Sequence, residues 1–189
     1  MKWQDIYKTK CTTPDEAVKV IKSSDIVVPG HAASESELLV NAMVKRYKEL
    51  ENVRVVQGVP LGSSPYCLPE MQGHFVLNSM FLGETTRKCQ WENRGDFLPL
   101  SFHEFPRAFR EGFIPVDVFF PMVSPPNKHG YCSLGVSVDH SKQLVESAKI
   151  VIAEVNPHMP STYGDTFVHV SDFDYIVEGS DPLLELQRF

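Results

Sequence analysis

The sequence predicts an α/β fold, a mainly parallel sheet flanked by helices, and three observations carry that reading. Apolar runs at 25–28, 53–59, 116–123 and 150–155 alternate with segments of helical period. The run at 150–155 is almost wholly apolar, as in a strand covered on both faces. The loops that follow these runs have irregular polar tips, the character of a carboxyl edge where open α/β sheets bind ligands. At 189 residues the chain fits one domain with a substantial core.

Thr13 opens the first predicted helix, with Pro14 at its first position and Glu16 placed for a capping box. Ala17, Val20 and Ile21 supply its apolar stripe. Residues 25–28 form a short strand that ends at Pro29-Gly30. Ser34 and Glu37 have the spacing of a second capping box. They open a long helix with Leu38, Leu39, Ala42, Met43, Tyr47 and Leu50 on one face. Residues 53–59 form the second strand and empty into a Gly/Ser/Pro loop at 60–66. Residues 75–82 form the third, followed by a short helical piece carrying Thr85, Thr86, Arg87 and Trp91. Another helix starts near Ser101 or Pro106 and stops at Gly112. Strand 116–123, a helix near 141–149 and strand 150–155 follow. An irregular loop at 156–160 and a weakly alternating last strand at 168–177 complete the order. Residues 179–189 turn to Gly, Ser, Asp and Pro, so 1–178 reads as the domain and 179–189 as the start of a linker.

The stretch 123–139 is the least ordinary. Pro125 and Pro126 stiffen its entry, and Asn127-Lys128-His129-Gly130 reads as a tight turn. Strict alternation follows. Cys132, Leu134, Val136 and Val138 are expected to face a core, leaving Ser133, Gly135 and Ser137 as a small face that something approaches closely.

Composition excludes several function classes. A net charge of −6 argues against general nucleic-acid binding, yet leaves room for a phosphorylated small ligand. The four cysteines have no CxxC pair and no histidine at metal spacing. They read as free buried thiols in a reducing cytoplasm, and no metal site is expected. No apolar run approaches the roughly 18 residues that span a bilayer, and the N-terminus lacks a signal-peptide core. Neither a P-loop lysine nor GxGxxG follows a strand.

The candidate site residues lie in the loops expected at one sheet edge. His31 sits between a strand and a helix N-terminus, where it either meets a ligand or caps backbone groups. Leu61, Gly62 and Ser63 occupy the next loop. Lys128 and His129 either line a site or form a solvated turn, and Gly130 and Gly135 answer first to backbone geometry. Asn156 either lines a site or caps its loop. His103 and Glu104 point in different directions on a helix and read as surface residues.

Gly30-His31-Ala32, Ser64-Pro65-Tyr66-Cys67, Pro69-Glu70-Met71, the run from Ser124-Pro125-Pro126 to Val138-Asp139, and Ile152-Ala153-Glu154-Val155-Asn156-Pro157 resemble the acetyl-CoA hydrolase/transferase family. Within it, the resemblance is to 4-hydroxybutyrate and butyrate:acetate CoA-transferases, and it covers nearly the whole chain. It implies two tandem α/β domains with the acyl-CoA site between them, this chain being the first. It also implies a double displacement, in which a glutamate attacks the thioester and holds CoA as a glutamyl thioester until a carboxylate such as acetate takes over. That glutamate and the main glycine-rich CoA loop belong to the second, C-terminal domain. No catalytic residue is therefore assigned to this chain, and alone it is expected to be inactive. Glu154 lies within a strand pattern and is not assigned as nucleophile.

The resemblance further implies that His31 is a substrate-side hydrogen-bond donor and that Lys128 reaches a CoA phosphate. It implies no permanently bound cofactor, with the coenzyme A thioester as substrate, and small acyl-CoA and carboxylate partners. An apolar patch where the second domain docks, and hence self-association, is expected. Pro29 and Pro121 depart from the family pattern, so each must lie at a strand end or edge. A CoA-thioester hydrolase and a non-catalytic ligand-binding or split-subunit module are the alternatives.

Overall fold

Residues 2–186 are described by a computed structural model. In chain order the strands are β1 (Ile26–Val28), β2 (Val53–Gln57), β3 (Phe75–Ser79), β4 (Gly95–Phe97), β5 (Val118–Phe119), β6 (Met122–Val123), β7 (Tyr131–Ser133), β8 (Ile150–Val155), β9 (Phe167–His169) and β10 (Tyr175–Glu178). The helices are α1 (Trp3–Lys10), α2 (Pro14–Ala17), α3 (Glu37–Lys45), α4 (Glu84–Trp91), α5 (Phe105–Arg110) and α6 (Ser141–Ser147). The main sheet runs β10-β8-β5-β1-β2-β3-β4, with β6 also on β8, and all its pairs are parallel. β7 and β9 form a separate antiparallel ribbon.

The expected α/β class is therefore the observed one. The chain steps outward from β1 to β4, returns to the other side of β1 with β5, and moves out to β10. The crevice between the carboxyl ends of β1 and β5 is thus a topological switch point.

Period-two alternation sorts the strand residues between two cores. Val27, Val55, Leu77, Ile152 and Val177 pack with Ala17 of α2, Leu39 and Met43 of α3, and Cys89 of α4. Val28, Val56, Phe119, Val151 and Ile176 pack on the other face with Phe105 and Phe109 of α5 and Leu144 of α6. Each such large side chain removed from water contributes about 1.5–3 kcal/mol. Both faces of the sheet are covered, which explains the unbroken apolar run of β8.

Several local expectations are corrected. Thr13 does cap α2, accepting from the Glu16 N–H at 3.3 Å. The Ser34/Glu37 capping box does not form. Ala32 is left-handed (φ 49°) and begins a 3-10 turn, so Ser34 Oγ donates to the His31 carbonyl at 2.8 Å. Ser36 caps α3 instead, accepting from Leu39 N–H at 3.2 Å. The strand foreseen at 116–123 is two short pieces around Phe120-Pro121, because proline has no N–H to donate. Pro29 and Pro121 both fall at strand ends, as their chemistry requires.

The alternating strand foreseen at 132–138 stops at Ser133. Gly135 turns left-handed (φ 59°), leaving Val136 49% exposed while Ser133 and Ser137 are buried. What approaches the small face is the 156–160 loop: a Cβ on Gly135 would lie 2.7 Å from both Met159 Cγ and the Pro160 carbonyl oxygen. The last strand divides into β9 and β10, which serve different sheets. α1 and β4 had no counterpart in the sequence reading. Gly112 (φ 74°) does end α5. Cys67, Cys89 and Cys132 are buried and free, as expected, whereas Cys11 is exposed. The expected linker shows no regular element over 179–186, and its remainder lies outside the described residues. No helix among the described residues is long and apolar enough to cross a membrane.

Candidate functional site

β1 ends at Val28, and the chain turns sharply at Gly30 (φ 97°), where a Cβ would meet the Ser34 carbonyl oxygen at 2.7 Å. That turn places His31 at the switch point with only 6% of its surface exposed. Gly58, just past β2, makes room for the ring, since a Cβ there would lie 2.5 Å from His31 Nδ1. Val59 N–H donates to Nδ1 at 3.4 Å, so the ring proton belongs on Nε2, which faces Asp139 Oδ2 at 3.7 Å. Burial lowers the His31 pKa, opposed by the Asp139 charge, so the ring is neutral at neutral pH.

His140 stands edge-on to His31, with ring centroids 4.7 Å apart, and packs among Phe105 and Phe109. It is fully buried, and neither ring nitrogen has a hydrogen-bond partner. Nδ1 lies 3.0 Å from Asp139 Oδ1, out of line for a hydrogen bond. Burial drives its pKa well down, against the pull of Asp139, and the neighbouring His31 pushes the same way as burial. Asp139 is tied to Ser137 Oγ at 3.1 Å and opens toward solvent.

Sequence reasoning missed Asp139 and His140 as site residues. The available signal was positional, because they immediately precede α6, much as His31 precedes α3. Among the described residues, His31, Asp139 and His140 form the one set whose ligand atoms could surround a metal ion, all within 4.8 Å of one another. The tautomer set by Val59 does not suit a cation, because it leaves the protonated Nε2 facing the carboxylate.

The Leu61-Gly62-Ser63 loop comes directly against this turn. Its N–H groups are already engaged: Leu61 and Gly62 donate to Glu35 Oε2 at 3.2 and 3.0 Å, and Ser63 donates to Glu37 Oε1 at 2.6 Å. Glu35 is 1% exposed, and burial pushes its pKa up to about 7 despite those two backbone donors. Phe102 faces His31 from the other side at 5.7 Å and is 55% exposed, as is Phe81 beyond β3.

Lys128, His129 and Gly130 are not brought to His31. Asn127 Oδ1 accepts from His129 and Tyr131 N–H at 2.8 and 3.2 Å, making the tight turn that was expected. The turn packs on α1 and β9, where a Cβ on Gly130 would lie 2.7 Å from Trp3 and 2.8 Å from His169 Nε2. Lys128 and His129 remain in solvent. Asn156 is buried after β8. It donates to Glu154 Oε1 at 3.1 Å and to the Asp181 carbonyl at 2.9 Å, and accepts from His158 N–H at 2.9 Å. Glu154 also accepts from Ser36 Oγ at 2.5 Å; burial raises its pKa. These bonds tie the exit of β8 to α3 and the chain beyond β10.

Residues 1–185 match the model of the acetyl-CoA hydrolase/transferase N-terminal domain. The chain is 49% identical over 187 residues to the 4-hydroxybutyrate coenzyme A transferase of Clostridium kluyveri, covering 99% of this chain and 44% of that protein. It is 35% identical to the butyryl-CoA:acetate CoA-transferase of Anaerostipes caccae, covering 97% and 42%. Its fold superposes on RipA from Yersinia pestis with a TM-score of 0.94 at 31% identity, covering 100% of this chain and 46% of that one. The 4-hydroxybutyrate CoA-transferase of Porphyromonas gingivalis gives a TM-score of 0.83 at 35% identity, covering 98% and 43%. The chain thus spans less than half the length of these relatives.

Proposed function

The chain belongs to the acetyl-CoA hydrolase/transferase family, matching its N-terminal domain, and from that premise we propose that it forms one wall of the acyl-CoA cleft of a CoA-transferase. The substrates are a short-chain acyl-CoA, 4-hydroxybutyryl- or butyryl-CoA, and acetate. The exchange runs through a glutamyl-CoA thioester on a glutamate supplied by a C-terminal domain outside this chain. Such an intermediate conserves the thioester energy and divides the exchange into two easier displacements.

The observation that carries this reading is His31: a buried, neutral imidazole placed at the topological switch point. A neutral ring donates a hydrogen bond to a thioester or carboxylate oxygen without adding a charge to be desolvated. The 61–63 loop contributes the shape of the wall, since its N–H groups are occupied within the domain. Lys128 lies farther along the edge, where it reaches a CoA phosphate only at the rim. Asn156 supports the wall through its bonds to Glu154 and Asp181. CoA is a substrate and not a resident cofactor.

The test is exchange between butyryl-CoA and acetate, followed as acetyl-CoA formed. The intact protein is expected to form acetyl-CoA only when acetate is present, and this chain alone to form none. Release of free CoA with no dependence on acetate would assign a hydrolase. Exchange by the isolated chain would overturn the placement of the nucleophile elsewhere.

A further inference from the structure

We propose that Glu35 is the positioning residue of the 58–63 loop: its buried carboxyl group sits in a cradle of backbone N–H groups and ties that loop to the turn bearing His31, fixing the cleft wall that meets acyl-CoA. The second half of this statement rests on the cleft reading above; the first stands on geometry alone.

Three consecutive amides, Leu61, Gly62 and Ser63, point at the carboxylates of Glu35 and Glu37 at the entry to α3. Successive N–H groups turned to one side form an anion-binding concavity, and here the anion belongs to the protein itself. Gly62 leaves the space: a Cβ would lie 3.0 Å from Glu35 Cδ and 3.2 Å from both carboxyl oxygens. A second seam runs parallel, with Ala32 N–H on the Val59 carbonyl at 2.9 Å and Val59 N–H on His31 Nδ1. Glu35 therefore sits where the His31 turn and the 58–63 loop are joined on both sides.

The groups facing Glu35 are Glu37 at the start of α3, Gln57 on β2, and Tyr66 and Cys67 on the following 3-10 turn. None of these is a cation, so hydrogen bonds alone hold the buried carboxyl. Gln57 adjoins it; its Nε2 donates to Tyr66 Oη at 3.4 Å, and its Oε1 is buried without a partner. With its pKa pushed up to about 7, Glu35 gains a proton on mild acidification. The two bonds from the loop then lose their charge assistance, but protonation relieves the larger desolvation penalty, so the closed joint is favoured on the acid side.

The experiment uses the intact protein and its Glu35→Gln and Gly62→Ala variants. The first reading is hydrogen exchange of the 58–64 segment between pH 5.5 and 8.5, corrected for intrinsic rates. The wild type is expected to lose protection of about tenfold as pH rises to about 7, because opening returns the carboxyl to water, where it ionises at its ordinary, lower pKa. Glu35→Gln, which has no carboxyl to ionise, is expected to be flat with pH, apart from the intrinsic correction. Gly62→Ala, which presses a methyl group onto the carboxyl, is expected to lose protection with residue 35 intact.

The second reading is kinetic: an acyl-CoA KM raised about tenfold with kcat changed less than threefold, as for lost uniform binding. A Glu35→Gln protein with wild-type protection and pH dependence overturns the positioning role. Lost protection with an unchanged KM upholds that role and removes the loop from the cleft. If Glu35→Gln does not fold, the Gly62→Ala protein decides by the same two readings.

Discussion

Two turns, one following the parallel strand β1 and carrying His31, the other leading into the antiparallel ribbon at β7 and carrying Lys128-His129-Gly130, are built from the same materials: a histidine, a glycine of positive φ and nearby small polar residues. Around His31, the glycines at 30 and 58 bring ionisable groups together. His31, Glu35 and His140 are buried there, and His140 is left without a hydrogen-bond partner. Around Gly130, the missing side chain lets Trp3 and His169 close in, while Lys128 and His129 stay in water. A glycine in a turn therefore identifies a close approach and nothing more. The cost carried by what is brought close separates a site from a packing joint: burying imidazoles and a carboxyl without full compensation is unfavourable.

The largest effect should come from the packing side. Gly135→Ala combines a left-handed backbone with contacts to Met159 and the Pro160 carbonyl, and should cost about 3 kcal/mol. Urea unfolding would show it, and a loss below 1 kcal/mol would mean that the 156–160 loop yields freely. Next is the contrast between the two turns. His31→Asn should lower the exchange rate of the intact protein about a hundredfold, or about 2.7 kcal/mol, whereas Lys128→Ala should change it less than threefold. Steady-state rates with saturating acetate would decide, and the reverse ranking would exchange the roles of the turns.

The smallest effect concerns His140. Replacing it with phenylalanine removes two unpartnered nitrogens from an aromatic setting and should leave stability at pH 7.5 equal or about 1 kcal/mol higher. The wild type should also lose stability as pH falls below the ordinary histidine pKa. There the unfolded chain takes up a proton that burial denies the folded one. Thermal unfolding at pH 7.5 and 5.5 would show that loss in the wild type and a smaller one in His140→Phe.

Much of the sheet was legible because burial on both faces writes a continuous apolar run, as in β8, and because breakers such as Pro29-Gly30 mark where a strand must end. The His31 position was legible for the same reason: it follows such a breaker and precedes a helix. Asp139 and His140 were not, because their proximity to His31 depends on β5 lying beside β1, a long-range pairing. The strict alternation at 132–138 misled because Gly135 is compatible with a small strand face and with a left-handed turn, and only the neighbouring Met159 distinguishes them. β4 carries just Gly95, Asp96 and Phe97, too short and polar for a periodic signal. The Ser34/Glu37 spacing likewise fitted a cap, while the structure uses Ser36 and spends Glu37 on the adjacent loop.

α1 leaves a consequence for how the molecule is assembled. None of its residues is buried, and it is held by late parts of the chain. Trp3 Nε1 bonds the Lys128 carbonyl, Tyr7 the Glu178 carboxylate, Lys10 the Ser171 carbonyl, and Thr12 N–H the Ile176 carbonyl. Eight residues are too few for a helix to persist in water by itself. During synthesis α1 is made well before β8 and β10, yet has nothing to rest on until β10 has been made and seated against β8. α1 is thus made before the strands that hold it and placed after them.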